Sequence, residues 1–324
     1  MTQKLLSSSC LVAATFLFCA FTARNAFADE VTLQDHSLTV SFDSDSGALT
    51  RMEYKPTHWI IERRPELGVS FRLFAPLPDR RWNPVYGQKQ RAEVSKVSDN
   101  EVQLKWSNLM SENGGVLPMT FTADVTLNHG VLTFDSTLQN DSSLTVETID
   151  YPYFGDFNPP SRESSLTACT MKNGRRSDMQ QQELYPHFVN RKGYWGVFYP
   201  TKTFDDYNSM FCLLQAPDQG LYVRMDAPTA PYRLEYTFEQ HPGILSSITQ
   251  LVPKEDEFPG KDSLWGTDEN AEHSRTPVFL VFRTCHFVFA SGHSTTHLTP
   301  VVLRCYQGDA KAGEDLYKQS RSNM

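Results

Sequence analysis

Hydrophobic and polar residues alternate over long stretches of this chain. Met119, Phe121, Ala123, Val125 and Leu127 are interleaved with Thr120, Thr122, Asp124 and Thr126. After Asn128, His129 and Gly130 the alternation resumes, with Leu132, Phe134 and Leu138 set against Thr133, Asp135, Thr137 and Gln139. A two-residue period sends successive side chains to opposite faces of a strand. The segment therefore reads as an antiparallel hairpin with one dry face and one wet face. The same rhythm runs through Leu38, Val40 and Phe42 and through Val102, Leu104 and Trp106, beside the turn-forming stretches 43–47 and 98–100. Further strands are expected at 209–215, 220–225, 232–239, 243–252, 277–289 and 299–306. Helical period appears only from Asp309 to Ser320. The pattern predicts an all-β fold, a large antiparallel β-sandwich with a short C-terminal helix and no internal repeat.

The N-terminus reads differently. Lys4 precedes an apolar run over 11–20 that is short for a membrane span, and Ala26, Phe27 and Ala28 supply the small-x-small pattern of a signal-peptidase site. We expect residues 1–28 to be a signal peptide cleaved before Asp29, residues 29–308 to form the sandwich, and 309–324 a helix and tail. The protein is then secreted, periplasmic or cell-surface. Removing 1–28 takes away Lys4 and Arg24 and no acidic residue, moving the formal charge from −8 to −10. An acidic chain whose basic clusters are no longer than Arg63-Arg64, Arg80-Arg81 and Arg175-Arg176 is not built for nucleic acid or an anionic membrane surface.

Four cysteines follow the signal segment: Cys169, Cys212, Cys285 and Cys305. In an exported protein they can form two disulfides, in any of three pairings, or remain buried thiols. None has metal-site or redox spacing, and no cofactor or metal is expected.

Between 148 and 208 the alternation stops. Pro152, Pro159, Pro160, Pro186 and Pro200 stand among Tyr151, Tyr153, Phe154, Phe157, Tyr185, Phe188, Tyr194, Trp195, Phe198 and Tyr199. Proline removes ladder donors, so these rings are expected on loops and strand ends.

Several stretches resemble the galactose-mutarotase-like β-supersandwich. Residues 31–50 look like its opening hairpin, with an Asp-rich turn ending in Gly47. Tyr185-Pro186-His187 with 213–226 is similar to a later stretch. Residues 299–317 resemble its last strand followed by Gly-Asp and a helix, although Ala310 replaces the usual tryptophan. Such domains precede the (β/α)8 barrel in several glycoside hydrolases and follow the helical domain in some polysaccharide lyases. With the chain ending at Met324, the resemblance implies a free-standing sandwich or a relative of a longer enzyme, with the catalytic barrel absent.

Mutarotases of this fold use a glutamate base and histidine acids on the concave sheet face. The nearest candidates here are His187 and His241, with Glu235 or Glu239, and alternation suggests that the two glutamates face solvent. Tyr185, His187 and Arg191 could serve a lyase, and His286, His293 and His297 form the one histidine cluster. No Gly-x-Ser-x-Gly elbow occurs. Sugar rings present apolar faces that stack on aromatics, while acids bind their hydroxyls. Trp195 and Tyr207 are the expected stacking residues, with Asp156, Asp205, Asp206 and His187 as polar partners. The segments 151–156, 204–208 and Trp82–Tyr86 offer the same mixture. The reading is an exported carbohydrate-binding or accessory module, related to glycoside hydrolases and non-catalytic alone. The alternatives are a catalytic sandwich, epimerase or polysaccharide lyase, and a cell-surface structural or interaction protein.

Overall fold

The computed structural model describes residues 30–61, 70–155, 157, 160, 166–171, 179–185, 201–205, 211–226, 232–241 and 279–322. The expected signal peptide, the expected strand at 243–252 and most of 156–210 lie outside these residues. The first four strands, β1 (Glu30–Gln34), β2 (Leu38–Asp43), β3 (Leu49–Tyr54) and β4 (Trp59–Ile61), form a small antiparallel sheet in chain order. The β2–β3 turn follows from its sequence. Asp43 Oδ1 accepts the backbone N–H groups of Asp45 at 3.1 Å and Ser46 at 2.7 Å, and Gly47 takes φ +68°. A Cβ on Gly47 would stand 2.6 Å from the Trp106 ring, so glycine is required twice over, for its backbone and for its closeness.

The other sheet has sixteen strands among the described residues. They are β5 (Arg72–Phe74), β6 (Pro84–Tyr86), β7 (Ala92–Ser98), β8 (Glu101–Ser111), β9 (Gly115–Asn128), β10 (Val131–Asn140), β11 (Thr148–Gly155) and β12 (Leu166–Met171). Then come β13 (Met179–Tyr185), β14 (Thr201–Asp205), β15 (Phe211–Gln215), β16 (Gln219–Met225), β17 (Leu234–His241), β18 (Phe279–His286), β19 (Ser294–His297) and β20 (Val301–Gln307). The main path runs β13-β12-β15-β16-β20-β10-β9-β8-β6-β5-β11-β18-β17-β14, with β19 on β10 and β7 on β8. The β9–β10 hairpin forms in the expected register, Leu127 opposite Leu132 and Phe121 opposite Leu138.

One face of this sheet closes on the small sheet to make the core. Phe42, Phe71, Trp106, Phe121, Phe134, Tyr151, Phe154, Phe238 and Phe282 are all buried there. Trp106 and Phe121 flank Phe71 at 4.8 and 5.1 Å between ring centres. This corrects the expectation for Tyr151 and Phe154, which are strand residues of the core, and Phe157 beyond the strand is buried in the same core. β11 continues through Pro152 by shifting register between Asp150 and Tyr153, which removes the need for a proline N–H in the ladder.

The opposite face of β15, β16 and β20 is covered by α1 (Ala310–Ser322). Asp309 caps this helix, its carboxylate accepting from Lys311 N at 3.1 Å and Ala312 N at 3.3 Å, after Gly308 at φ +109°. Of the two readings of the cysteines, the structure has free, buried thiols at all four positions. Cys169 packs under α1 whereas Cys212 and Cys305 face the core, and β16 separates β15 from β20.

Candidate functional site: a cross-strand polar row

On the face opposite the core, β6, β5, β11, β18 and β17 each contribute one residue to a continuous row, and β14 pairs with its last strand. Tyr86 stands opposite Arg72, Arg72 opposite Asp150, Asp150 opposite Cys285, Cys285 opposite Glu235, and Glu235 opposite Asp205. Directly opposed residues share a face, so the row follows from register. Their chain neighbours Val85, Leu73, Ile149, Leu234 and Tyr236 point into the core, which fixes which face the row occupies.

Charge organises the row. The Arg72 Nε–H donates to Asp150 Oδ2 at 2.5 Å, and Arg283 donates to Oδ1 at 2.7 Å, with the carboxylate 3% exposed. The Arg72 guanidinium also lies 5.7 Å from the centre of the Tyr153 ring. Glu235 accepts from Arg233 and is buried rather than on the wet face expected for it. Its alternation was read correctly, but a solvent-facing outcome does not follow where a sheet face is covered. Burial, with help from Asp150, pushes the Cys285 thiol far up, and burial raises the Tyr86 phenol as well.

An aromatic rim lies one step along the same face. Phe74, two residues after Arg72, sits opposite Pro84 and Thr148. Trp82, 58% exposed, packs on Phe74 at 5.6 Å, and Arg81 lies over Phe74 while its fork grips Glu147 at 2.7 and 3.1 Å. The loop carrying Trp82 is pinned. Buried Asn83 donates to Ala75 O at 2.9 Å and accepts from Asn113 N at 2.9 Å, and Asn113 donates to Trp82 O at 2.8 Å. Beyond Cys285, Phe287 continues the ladder to Arg233 O at 2.9 Å and carries the Arg233 guanidinium 5.2 Å from its ring centre.

Of the residues expected to bind sugar, Asp205 is paired with Glu235 in the β14–β17 register. Asp156, His187, Trp195, Asp206 and Tyr207 lie outside the described residues. In the segment Trp82–Tyr86, Trp82 is the exposed ring, while Val85 is core and Tyr86 ends the row. Arg72, Asp150, Arg233 and Arg283 were not singled out from the sequence, and Cys285 was read there only as a disulfide candidate or buried thiol. The available signal was a charged residue interrupting each of several hydrophobic strand patterns.

The histidine cluster does not form a site. His286 is buried on the core side, its Nε2–H donating to Tyr151 O at 2.7 Å and its Nδ1 accepting from the Tyr232 hydroxyl at 3.0 Å. Burial holds its pKa down at about 4, so the ring is neutral. His293 lies in a turn at φ 55°, and His297 bonds Thr137 at 2.9 Å. No group of three or more metal-ligating side chains occurs among the described residues.

No protein-family model and no curated protein matches the sequence. Solved structures similar to this chain include galactose-mutarotase-like and aldose-epimerase-fold proteins, together with glycoside hydrolases. A putative aldose 1-epimerase from Escherichia coli is 13% identical, with 86% of this chain and 99% of that one covered and a TM-score of 0.49. An aldose epimerase homologue from C. elegans is 8% identical over 87% and 99%, with a TM-score of 0.49. An alpha-galactosidase from Lactobacillus brevis is 8% identical over 86% of this chain and 40% of its own, with a TM-score of 0.42. At these identities and scores the likenesses assign no activity to the chain.

Proposed function

We propose that this protein is an exported carbohydrate-binding sandwich that takes an oligo- or polysaccharide along the rim of the polar row. One observation carries the reading: Trp82 is largely exposed, yet held on Phe74 by a hydrogen-bonded loop, next to the Arg81 guanidinium. A rigid ring beside fixed polar groups stacks on a sugar face with little ordering cost. Asp150 and Glu235 are both engaged by arginines and Cys285 is held as a thiol, which favours a binding role over acid–base chemistry.

A glycan array followed by calorimetry on the best hit tests this. Trp82→Ala should weaken binding by about 1–3 kcal/mol while costing less than about 1 kcal/mol of stability, because the ring is mostly exposed. An array without signal for the unaltered protein, or a Trp82→Ala variant that binds as well, rejects the proposal. A second reading is a catalytic sandwich, favoured by Asp205 standing opposite Glu235. Anomer exchange or unsaturated product formation from the bound glycan, lost on Glu235→Gln, would select it.

A further inference from the structure

Beyond β18 the chain runs on beside the residues that lead into β11, and there it carries a second exposed ring. Val146 and Ala290 exchange backbone hydrogen bonds at 2.8 Å, and the Phe289 N–H donates to Glu147 O at 3.2 Å. Phe289 therefore stands opposite Glu147, and directly opposed residues share a face. Val288 and Ala290, on either side of Phe289, both pack on the core, as do Leu73 and Ala75 on either side of Phe74. Alternation thus turns the Phe289 ring to the face that carries Phe74 and Trp82. Phe289 is 60% exposed.

Glu147 joins the two rings. Its N–H donates to Phe74 O at 2.9 Å and its carbonyl accepts from Phe289, so Phe74 and Phe289 lie one strand to either side of it. Its carboxylate is the one gripped by Arg81, the residue before Trp82. Across the face come Trp82 on Phe74, then the Arg81–Glu147 pair, then Phe289. Two strand spacings, about 10 Å, separate the backbones of Phe74 and Phe289. That is wider than one pyranose ring, so a single sugar does not cover both. A paired guanidinium keeps N–H groups to donate and a paired carboxylate keeps lone pairs to accept with, which suits sugar hydroxyls between the rings.

The backbone supplies an independent observation. Phe289 has φ +45°, in the left-handed region that glycine occupies freely and a bulky aromatic residue rarely enters. Burial does not offset this strain, because most of the ring is in solvent. A large ring at a strained and exposed position points to a contact made outside the chain. We propose that Phe289 is a second stacking platform, and that the saccharide lies across Trp82 and Phe289 with its hydroxyls on the Arg81–Glu147 pair between them. This inference rests on the saccharide reading of Trp82 and adds to it the path of the sugar chain and its minimum length of two units.

Calorimetry on the whole protein tests it with size ladders. The probes are glucose with its cello- and malto-oligosaccharides, mannose and galactose with their linear oligomers, and the best array hit with its shorter fragments. Affinity should rise about tenfold or more between the monosaccharide and the oligomer that reaches Phe289. Phe289→Ala should remove that rise and leave the monosaccharide unaffected, whereas Phe289→Tyr should keep it and Trp82→Ala should weaken every length. Phe289→Gly should also lose the rise, with an unchanged or higher melting temperature, because glycine relieves the backbone at this φ. Equal affinity for monosaccharide and oligomer in the unaltered protein overturns the inference and leaves the saccharide reading standing. So does a Phe289→Ala variant that keeps the rise. An absence of binding to every ladder overturns both.

Discussion

Arg72 donates its Nε–H to the buried carboxylate of Asp150 at 2.5 Å, joining a strand near residue 72 to one near residue 150 through a single charge-assisted bond. Arg283 holds the other oxygen, so the carboxylate balances two guanidinium groups that keep only 20% and 15% of their side-chain exposure. Removing the acid leaves both cations facing each other in a covered site. Asp150→Asn should lower unfolding stability by about 3 kcal/mol. Asp99→Asn, at a fully exposed acid, should leave it unchanged. Urea unfolding of the two variants checks the difference, and equal midpoints would contradict the buried clamp.

His286 makes stability depend on pH. Its folded pKa, about 4, lies below the ordinary 6.5. Between these values the unfolded chain binds the proton and the folded protein does not. The contribution is therefore fully present above about pH 6.5 and is lost as pH falls toward 4, by up to about 3 kcal/mol. His286→Gln should lose this acid limb in a pH series of melting temperatures. A series superimposable on that of the unaltered protein would place the proton elsewhere.

The cysteines should behave as protected thiols. Burial raises Cys169 and Cys305 to about 12 and pushes Cys212 and Cys285 further. A chain beginning at Asp29 should show no fast-reacting thiol when native. Unfolded without reductant, it should show all four cysteines as thiols. Zero thiols under the second condition would mean two disulfides.

Gly313 lets α1 sit down on the sheet. A Cβ there would stand 2.7 Å from the Tyr306 hydroxyl and 2.8 Å from both terminal carbons of Leu213. Tyr306 donates to Gln215, which holds the hydroxyl in place. Gly→Ala inside a helix normally gains about 1 kcal/mol. Here Gly313→Ala should instead cost about 1–3 kcal/mol through overpacking. A stabilised variant in guanidinium unfolding would show that the helix is not seated as described.

Much of the fold was legible because alternation is local information. The β9–β10 hairpin, the Asp43–Gly47 turn and the helix beginning at Ala310 all fall where the pattern put them. The middle of the chain misled for a physical reason. Pro152 reads as a strand breaker, but the register shift in β11 absorbs it, and Tyr151 and Phe154 stay in the core. The polar row could not be read in advance, because it takes one residue from each of five strands, and the steps from β5 to β11 and from β11 to β18 join segments far apart in the sequence. Glu235 was placed on the right strand face, yet whether that face is wet depends on what covers it. Trp82 was noticed only as one aromatic among many, and its exposure is a property of the folded loop.

The same row makes charge balance a proofreader of assembly. Each of its strands alternates row residues with core residues, so a slip of one position in any strand would carry a row side chain into the apolar core. Chains that close the sandwich out of step therefore lose the pairing of Asp150 with its two arginines, and threading errors are penalised by charge as well as by packing.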